Sequence, residues 1–98
     1  MSETITITKS ETRINPPGLW KVVFHNDDVT SIMFVIQVLE YVYNKSFEEA
    51  ERIAMRVHTE GSATLGPYTR DIAQTKCFST MLLAQDVSVP LLVVAEPA

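Results

Sequence analysis

Between Leu19 and Tyr43 the apolar pattern changes its period, and no other feature of the chain restricts its fold as much. The run Leu19-Trp20-Lys21-Val22-Val23-Phe24 is β-branched and aromatic, the composition of a strand. It stops at His25-Asn26-Asp27-Asp28, which are poor strand residues and good turn or cap residues. Ile32, Val35, Ile36, Leu39 and Tyr43 then fall at i, i+3, i+4, i+7 and i+11, the stripe of an amphipathic helix. Asp28 or Thr30 is placed to cap that helix, which is expected to end near Asn44 and Lys45. A strand feeding a one-sided helix calls for a sheet with helices laid on it, an α+β layer.

The rest of the chain fits that frame. Ser46-Phe47-Glu48-Glu49 has the form of a capping box, in which Ser46 and Glu49 satisfy each other's amides at the start of a second helix. Ala50, Ile53, Ala54 and Val57 make its buried face, and Gly61 stands where it would stop, leaving His58 in the last turn. Ser62 to Leu65 suits a short strand closed by Gly66-Pro67. Thr69 then caps a third helix with Asp71 in its first turn, and Ala73, Cys77, Met81 and Ala84 mark its inner face as far as about Gln85. Leu91 to Val94 reads as a final strand. The predicted order is β-α-α-β-α-β, a compact three-stranded antiparallel sheet packed against three helices, over residues 19–98. Residues 1–18, rich in Ser, Thr and Glu and closing on Pro16-Pro17-Gly18, read as a flexible N-terminal arm, with a short strand at Ile5 and Ile7 as the alternative.

Composition narrows the function classes. A chain of 98 residues, 46% hydrophobic, supports one core. A net charge of −4, with eight Lys and Arg never gathered into a run, gives nucleic acid no basic face to bind. The apolar stretches are too short to span a bilayer, so a soluble intracellular protein is expected, and a monomer is expected as well. Cys77 has no second Cys to pair with, and no cluster of ligands beside it suggests a metal or cofactor. With no phosphate loop and no nucleophile elbow, an enzyme is the weaker expectation.

The informative segment is His25-Asn26-Asp27-Asp28, an amide and two carboxylates at a strand-to-helix junction. Such a group could hold a cation. The N-terminal ammonium of a polypeptide needs three acceptors, and Asn26, Asp28 and His58 could supply them. Equally, the cluster could be a solvated helix cap, and His58 could owe its place to the helix dipole. Spacing does not separate these readings.

The segments from Trp20 to Thr30, Met33-Phe34-Val35, Val57-His58-Thr59-Glu60-Gly61 and Ala73-Gln74-Thr75-Lys76 together resemble the ClpS family, the adaptors of bacterial and plastid Clp proteases. The resemblance covers about residues 19–96. It implies an adaptor acting in a bacterial cytoplasm or plastid stroma, not an enzyme, that binds the free first residue of N-degron substrates and delivers them to a ClpA- or ClpC-type AAA+ unfoldase. By the resemblance, Asn26, Asp28 and His58, with Asp27 beside them, take the α-amino group. Thr30, Ile32, Val35, Ala54, Val57 and Leu91 would enclose a Leu, Phe, Tyr or Trp side chain, while Asp71 and Lys76 would dock on the unfoldase N-terminal domain. The alternative for a small α+β layer is an interaction domain like that at the C-terminus of the ribosomal stalk protein, which gives Asn26, Asp28 and His58 no task.

The chain departs from the family motif after Asp28. An aromatic residue and then Thr-Pro-Met are usual there, whereas this chain has Val29-Thr30-Ser31-Ile32, and Ala54 stands where a Met is common. Ile32 is branched at Cβ and stiff where Met would adapt, so the ranking among first residues is expected to shift. Protonation of His58 below about pH 6.5 is expected to weaken binding by removing an acceptor.

Overall fold

The structure is a computed structural model and describes residues 18–98. The expectations for the arm and its alternative strand therefore lie outside the described residues, apart from Gly18. The elements are β1 (Leu19–His25), α1 (Ile32–Tyr41), α2 (Phe47–Glu60), β2 (Ser62–Thr69), α3 (Arg70–Asp86) and β3 (Leu92–Pro97), in the order expected. β1 lies between β2 and β3 and runs antiparallel to both.

The central position of β1 suits its composition, with Val22, Val23 and Phe24 buried in the middle of the strand. Val22 pairs with Leu65 on one side and Ala95 on the other, and Phe24 with Ala63 and Val93. All of these except half-buried Ala95 are buried in the core that the helices cover. Burial of a side chain such as Phe24 or Leu39 contributes roughly 1.5–3 kcal/mol. α1 packs on α2, and α3 on β3. On the other face Lys21 pairs with Glu96 across the ladder at 3.5 Å.

Local expectations change in four places: the ends of α1, the start of α2, β2 and α3. Ser31 caps α1, accepting from the Phe34 amide at 3.1 Å, in place of Asp28 or Thr30. Thr30 is drawn back into the preceding turn by Asp27, which leaves Ser31 as the first available hydroxyl. The helix ends at Tyr41, with Asn44 left-handed and the Lys45 amide donating to the Leu39 carbonyl at 3.1 Å. Ser46 caps α2 by accepting from the Glu49 amide, but the Glu49 carboxylate pairs with Arg52 at 2.6 Å instead of closing the box. That pairing also holds the Glu49 carboxyl below the usual carboxylate range.

The third change is in β2, which continues past the cis Gly66–Pro67 bond to Thr69. The register shifts opposite Trp20 and Val22 there, and an edge strand tolerates a Pro at such a bulge. Gly66 has φ +130, and a Cβ on it would sit 3.2 Å from the Trp20 carbonyl oxygen, so the bulge needs a glycine. The fourth change is on α3, whose buried residues are Ala73, Thr80 and Ala84, while Met81 is 45% exposed. Thr80 is fully buried because its hydroxyl is satisfied: it donates to the Lys76 carbonyl at 2.8 Å and shares a hydrogen bond with the Tyr43 phenol at 2.9 Å. Cys77 is half-buried, and its thiol donates to the Val93 carbonyl at 2.9 Å. Burial pushes that thiol up, away from the reactive thiolate.

Candidate binding site

The turn that follows β1 and the last turn of α2 meet at one end of the sheet. The Asn26 amide donates to the Gly61 carbonyl at 2.9 Å, and the Gly61 amide donates to the Val57 carbonyl at 3.0 Å. Gly61 ends α2 in the left-handed region at φ 94, as expected for a glycine at that position. These bonds set the residues after the strand beside the helix turn that carries His58.

Between them opens a small pocket lined by His25, Asn26, Asp27, Thr30, Ile32, Val35, Ala54, Val57, His58 and Leu91. Its apolar members come from α1, α2 and the residue just before β3. Val35, Ala54, Val57 and Leu91 are each less than 8% exposed, so the lining and the core are one surface. Ala54 is the smallest of them.

The turn itself is organised by Asp27. Its Oδ1 accepts from the Val29 amide at 2.8 Å and the Thr30 amide at 2.7 Å, and its Oδ2 accepts from the Thr30 hydroxyl at 2.7 Å. Burial pushes the Asp27 carboxyl up, but these three donors outweigh it and hold the group below its ordinary value.

The structure thus brings all six residues of the expected side-chain pocket to one opening, together with Asn26, Asp27 and His58. Asp28 is exposed and is not part of this lining. His25 lines the pocket although no role was expected for it; its place as the last residue of the β1 ladder, opposite Ser62 and Leu92, was the available signal. Asp71 and Lys76 lie apart from this opening, on α3, where with Ile72 and Thr75 they line a separate shallow concavity. Asp71 is exposed, whereas Lys76 is half-buried and its Nζ donates to the Val42 carbonyl at 2.8 Å. The ammonium also lies over the rings of Tyr43 and Tyr68, at 5.5 and 5.8 Å.

Among the described residues no group of three or more His, Cys, Asp or Glu is placed to hold a metal ion. Among the described residues no helix is long and apolar enough to cross a membrane.

A family model described as "ATP-dependent Clp protease adaptor protein ClpS" matches residues 15–94. The chain belongs to the ClpS family. The Clp protease adapter ClpS of Deinococcus radiodurans is 45% identical over 94 residues, covering 96% of this chain and 81% of the relative. That of Nautilia profundicola is 42% identical over 93 residues, covering 95% and 96%. A solved structure of Agrobacterium tumefaciens ClpS2 bound to L-phenylalaninamide superposes with a TM-score of 0.81 at 37% identity, covering 85% of this chain and all of that one. Membership of an adaptor family for the Clp protease sets aside the ribosomal-stalk alternative.

Proposed function

We propose that this ClpS-family chain captures the free N-terminal residue of N-degron polypeptides and delivers them to a Clp AAA+ unfoldase. The observation that carries the reading is a small pocket with an apolar lining and Asn26, Asp27 and His58 at its polar part. The related ClpS2 was solved with L-phenylalaninamide, which has the free amine and the aromatic side chain of an N-terminal Phe and no free carboxylate. In this reading the Asn26 side-chain oxygen and a neutral His58 ring nitrogen accept from the ammonium. Asp28 supplies a nearby carboxylate from the same turn. The first side chain enters among Ile32, Val35, Ala54, Val57 and Leu91, and Leu, Phe, Tyr and Trp are the side chains that gain most from such burial.

Each half of this recognition is weak alone. Burying a Leu or Phe side chain contributes roughly 1.5–3 kcal/mol, and a hydrogen bond to a charged group adds roughly 1.5–3 kcal/mol. A free amine and a bulky first residue are therefore both required. Fluorescence anisotropy with peptides differing only at their first residue or in N-terminal acetylation tests this. Tight binding of the free Phe- or Leu-initiated peptide, lost on acetylation and lost on changing the first residue to Ser, is the expected result; equal affinity for all three forms rules the reading out.

Delivery requires a second surface, and we assign it to the exposed side of α3 around Asp71, Ile72 and Thr75, with Lys76 at its edge. This surface is separate from the pocket, so a substrate and an unfoldase N-terminal domain can be held at once.

A further inference from the structure

We propose that Asp27 is a positioning residue, whose carboxylate fixes the turn at Val29 and Thr30 instead of itself receiving the ammonium; this rests on reading the pocket as a receptor for a free N-terminus. A carboxylate offers about four lone-pair sites on two oxygens. Three are used internally, two on Oδ1 by the amides of Val29 and Thr30 and one on Oδ2 by the Thr30 hydroxyl. All three contacts are 2.8 Å or shorter, which is the length of charge-assisted bonds. Turning Oδ1 toward a substrate would leave two amides without their acceptor.

The consequence for the pocket passes through Thr30. Because its amide and hydroxyl both point to Asp27, Thr30 is held half-buried in the pocket lining while Val29 remains exposed. The hydroxyl proton is committed to Oδ2, so Thr30 can offer the pocket only its methyl group or an oxygen lone pair. A wall without a free donor suits an apolar first side chain. Asp28, exposed and engaged by no donor among the described residues, keeps its carboxylate available. The two adjacent carboxylates thus divide the work, one building the turn and the other contributing charge.

The test compares Asp27→Asn, Asp27→Ala and Asp28→Asn in the full chain, using anisotropy with a Phe-initiated peptide, free and acetylated, and hydrogen exchange at the Val29 and Thr30 amides. Asparagine keeps an oxygen for both amides, so Asp27→Asn should bind within about threefold of the native chain, while Asp27→Ala should lose about thirtyfold and Asp28→Asn about tenfold. Exchange at Val29 and Thr30 should stay slow in Asp27→Asn and become fast in Asp27→Ala. The proposal is overturned if Asp27→Asn binds no better than Asp27→Ala, or if Asp27→Ala binds like the native chain. Should Asp27→Ala prove too unstable to assay, Asp27→Asn binding no better than Asp28→Asn overturns it equally. Native binding that ignores acetylation would defeat the receptor reading alone, and the exchange rates would then decide whether Asp27 organises the turn.

Discussion

The Asn26 amide and the Gly61 carbonyl meet at 2.9 Å, so the exit of β1 and the end of α2 form one unit. This bond depends on Gly61 adopting φ 94, a conformation that costs a residue with a Cβ roughly 1–2 kcal/mol. A Cβ on Gly61 would meet nothing within 4 Å, so the penalty is one of backbone conformation alone. Gly61→Ala should lower stability in urea unfolding by about 1 kcal/mol and weaken peptide binding, because Asn26 and His58 lose their common anchor. Gly61→Asn, which tolerates the left-handed region, should do less harm on both counts. Equal effects of Ala and Asn would show that the backbone conformation is not what links the two sides.

Pocket depth is set by Ala54, which is 2% exposed and lines the opening. Ala54→Met should place a flexible side chain in the unfilled space, leaving unfolding stability within about 1 kcal/mol of the native value. Affinity for Trp-initiated peptides should fall about tenfold, equivalent to about 1.4 kcal/mol, with a smaller loss for Leu. Anisotropy with the two peptides measures the ratio. An unchanged Trp-to-Leu ratio would mean that the first side chain does not reach Ala54.

Most of the fold could be read from local patterns. Gly61, Ser46 and Thr69 each act at the helix ends where their chemistry places them. The departures share a cause, which is that polar side chains found partners remote in sequence or competed for local ones. Thr80 is polar, yet it is fully buried on its helix face because Tyr43 and the Lys76 carbonyl satisfy it. Met81 falls on the expected core stripe and is not core, since the stripe through Ala73, Thr80 and Ala84 turns it outward. In the turn, sequence separated neither the two carboxylates nor the two hydroxyls. Asp27 took Thr30, leaving Ser31 to cap the helix and Asp28 exposed. Apolar pocket residues were legible because a helix stripe and a pocket wall have the same periodicity, whereas rim geometry depends on Asn26 meeting Gly61 across the fold.

The Asp27 carboxyl lies below its ordinary value near 3.8, with burial opposing and the Thr30 and Val29 donors prevailing. A folded carboxyl with a depressed pKa contributes stability above the unfolded value and loses it as pH falls through the folded one. The stability difference between the native chain and Asp27→Asn should therefore be constant near neutrality and shrink on acidification below about pH 4. Urea unfolding of both proteins between about pH 7 and about pH 2.5 reads this directly. A difference that stays constant across the whole range would mean that the carboxylate charge adds nothing to the turn.

The Tyr43 phenol, pushed up in pKa by burial, packs edge-on against Phe24 with ring centroids 5.3 Å apart and shares a hydrogen bond with Thr80. Removing one partner of a buried hydrogen bond costs more than removing both. Thr80→Val should lower stability by about 1–3 kcal/mol because it leaves the phenol only its longer 3.4 Å contact to the Lys76 carbonyl, while Tyr43→Phe with Thr80→Val should recover part of that loss. A double variant less stable than Thr80→Val would contradict the pairing.

Lys76 and Asp71 were expected to share a docking role, but their environments make them unequal probes of it. The Lys76 ammonium donates to the Val42 carbonyl just past the end of α1, where a cation is favoured, and lies over two tyrosine rings. Lys76→Ala should therefore lower unfolding stability by about 1–2 kcal/mol in addition to any effect on the unfoldase. Asp71 is exposed on the first turn of α3, and Asp71→Ala should cost at most about 0.5 kcal/mol. If this face docks, Asp71→Ala should weaken binding to an isolated unfoldase N-terminal domain without altering peptide capture, as measured by calorimetry and anisotropy on the same preparation. Full unfoldase affinity in Asp71→Ala, with loss only in the destabilised Lys76→Ala, would place the docking surface elsewhere and leave Lys76 as the residue that ties α3 to the end of α1.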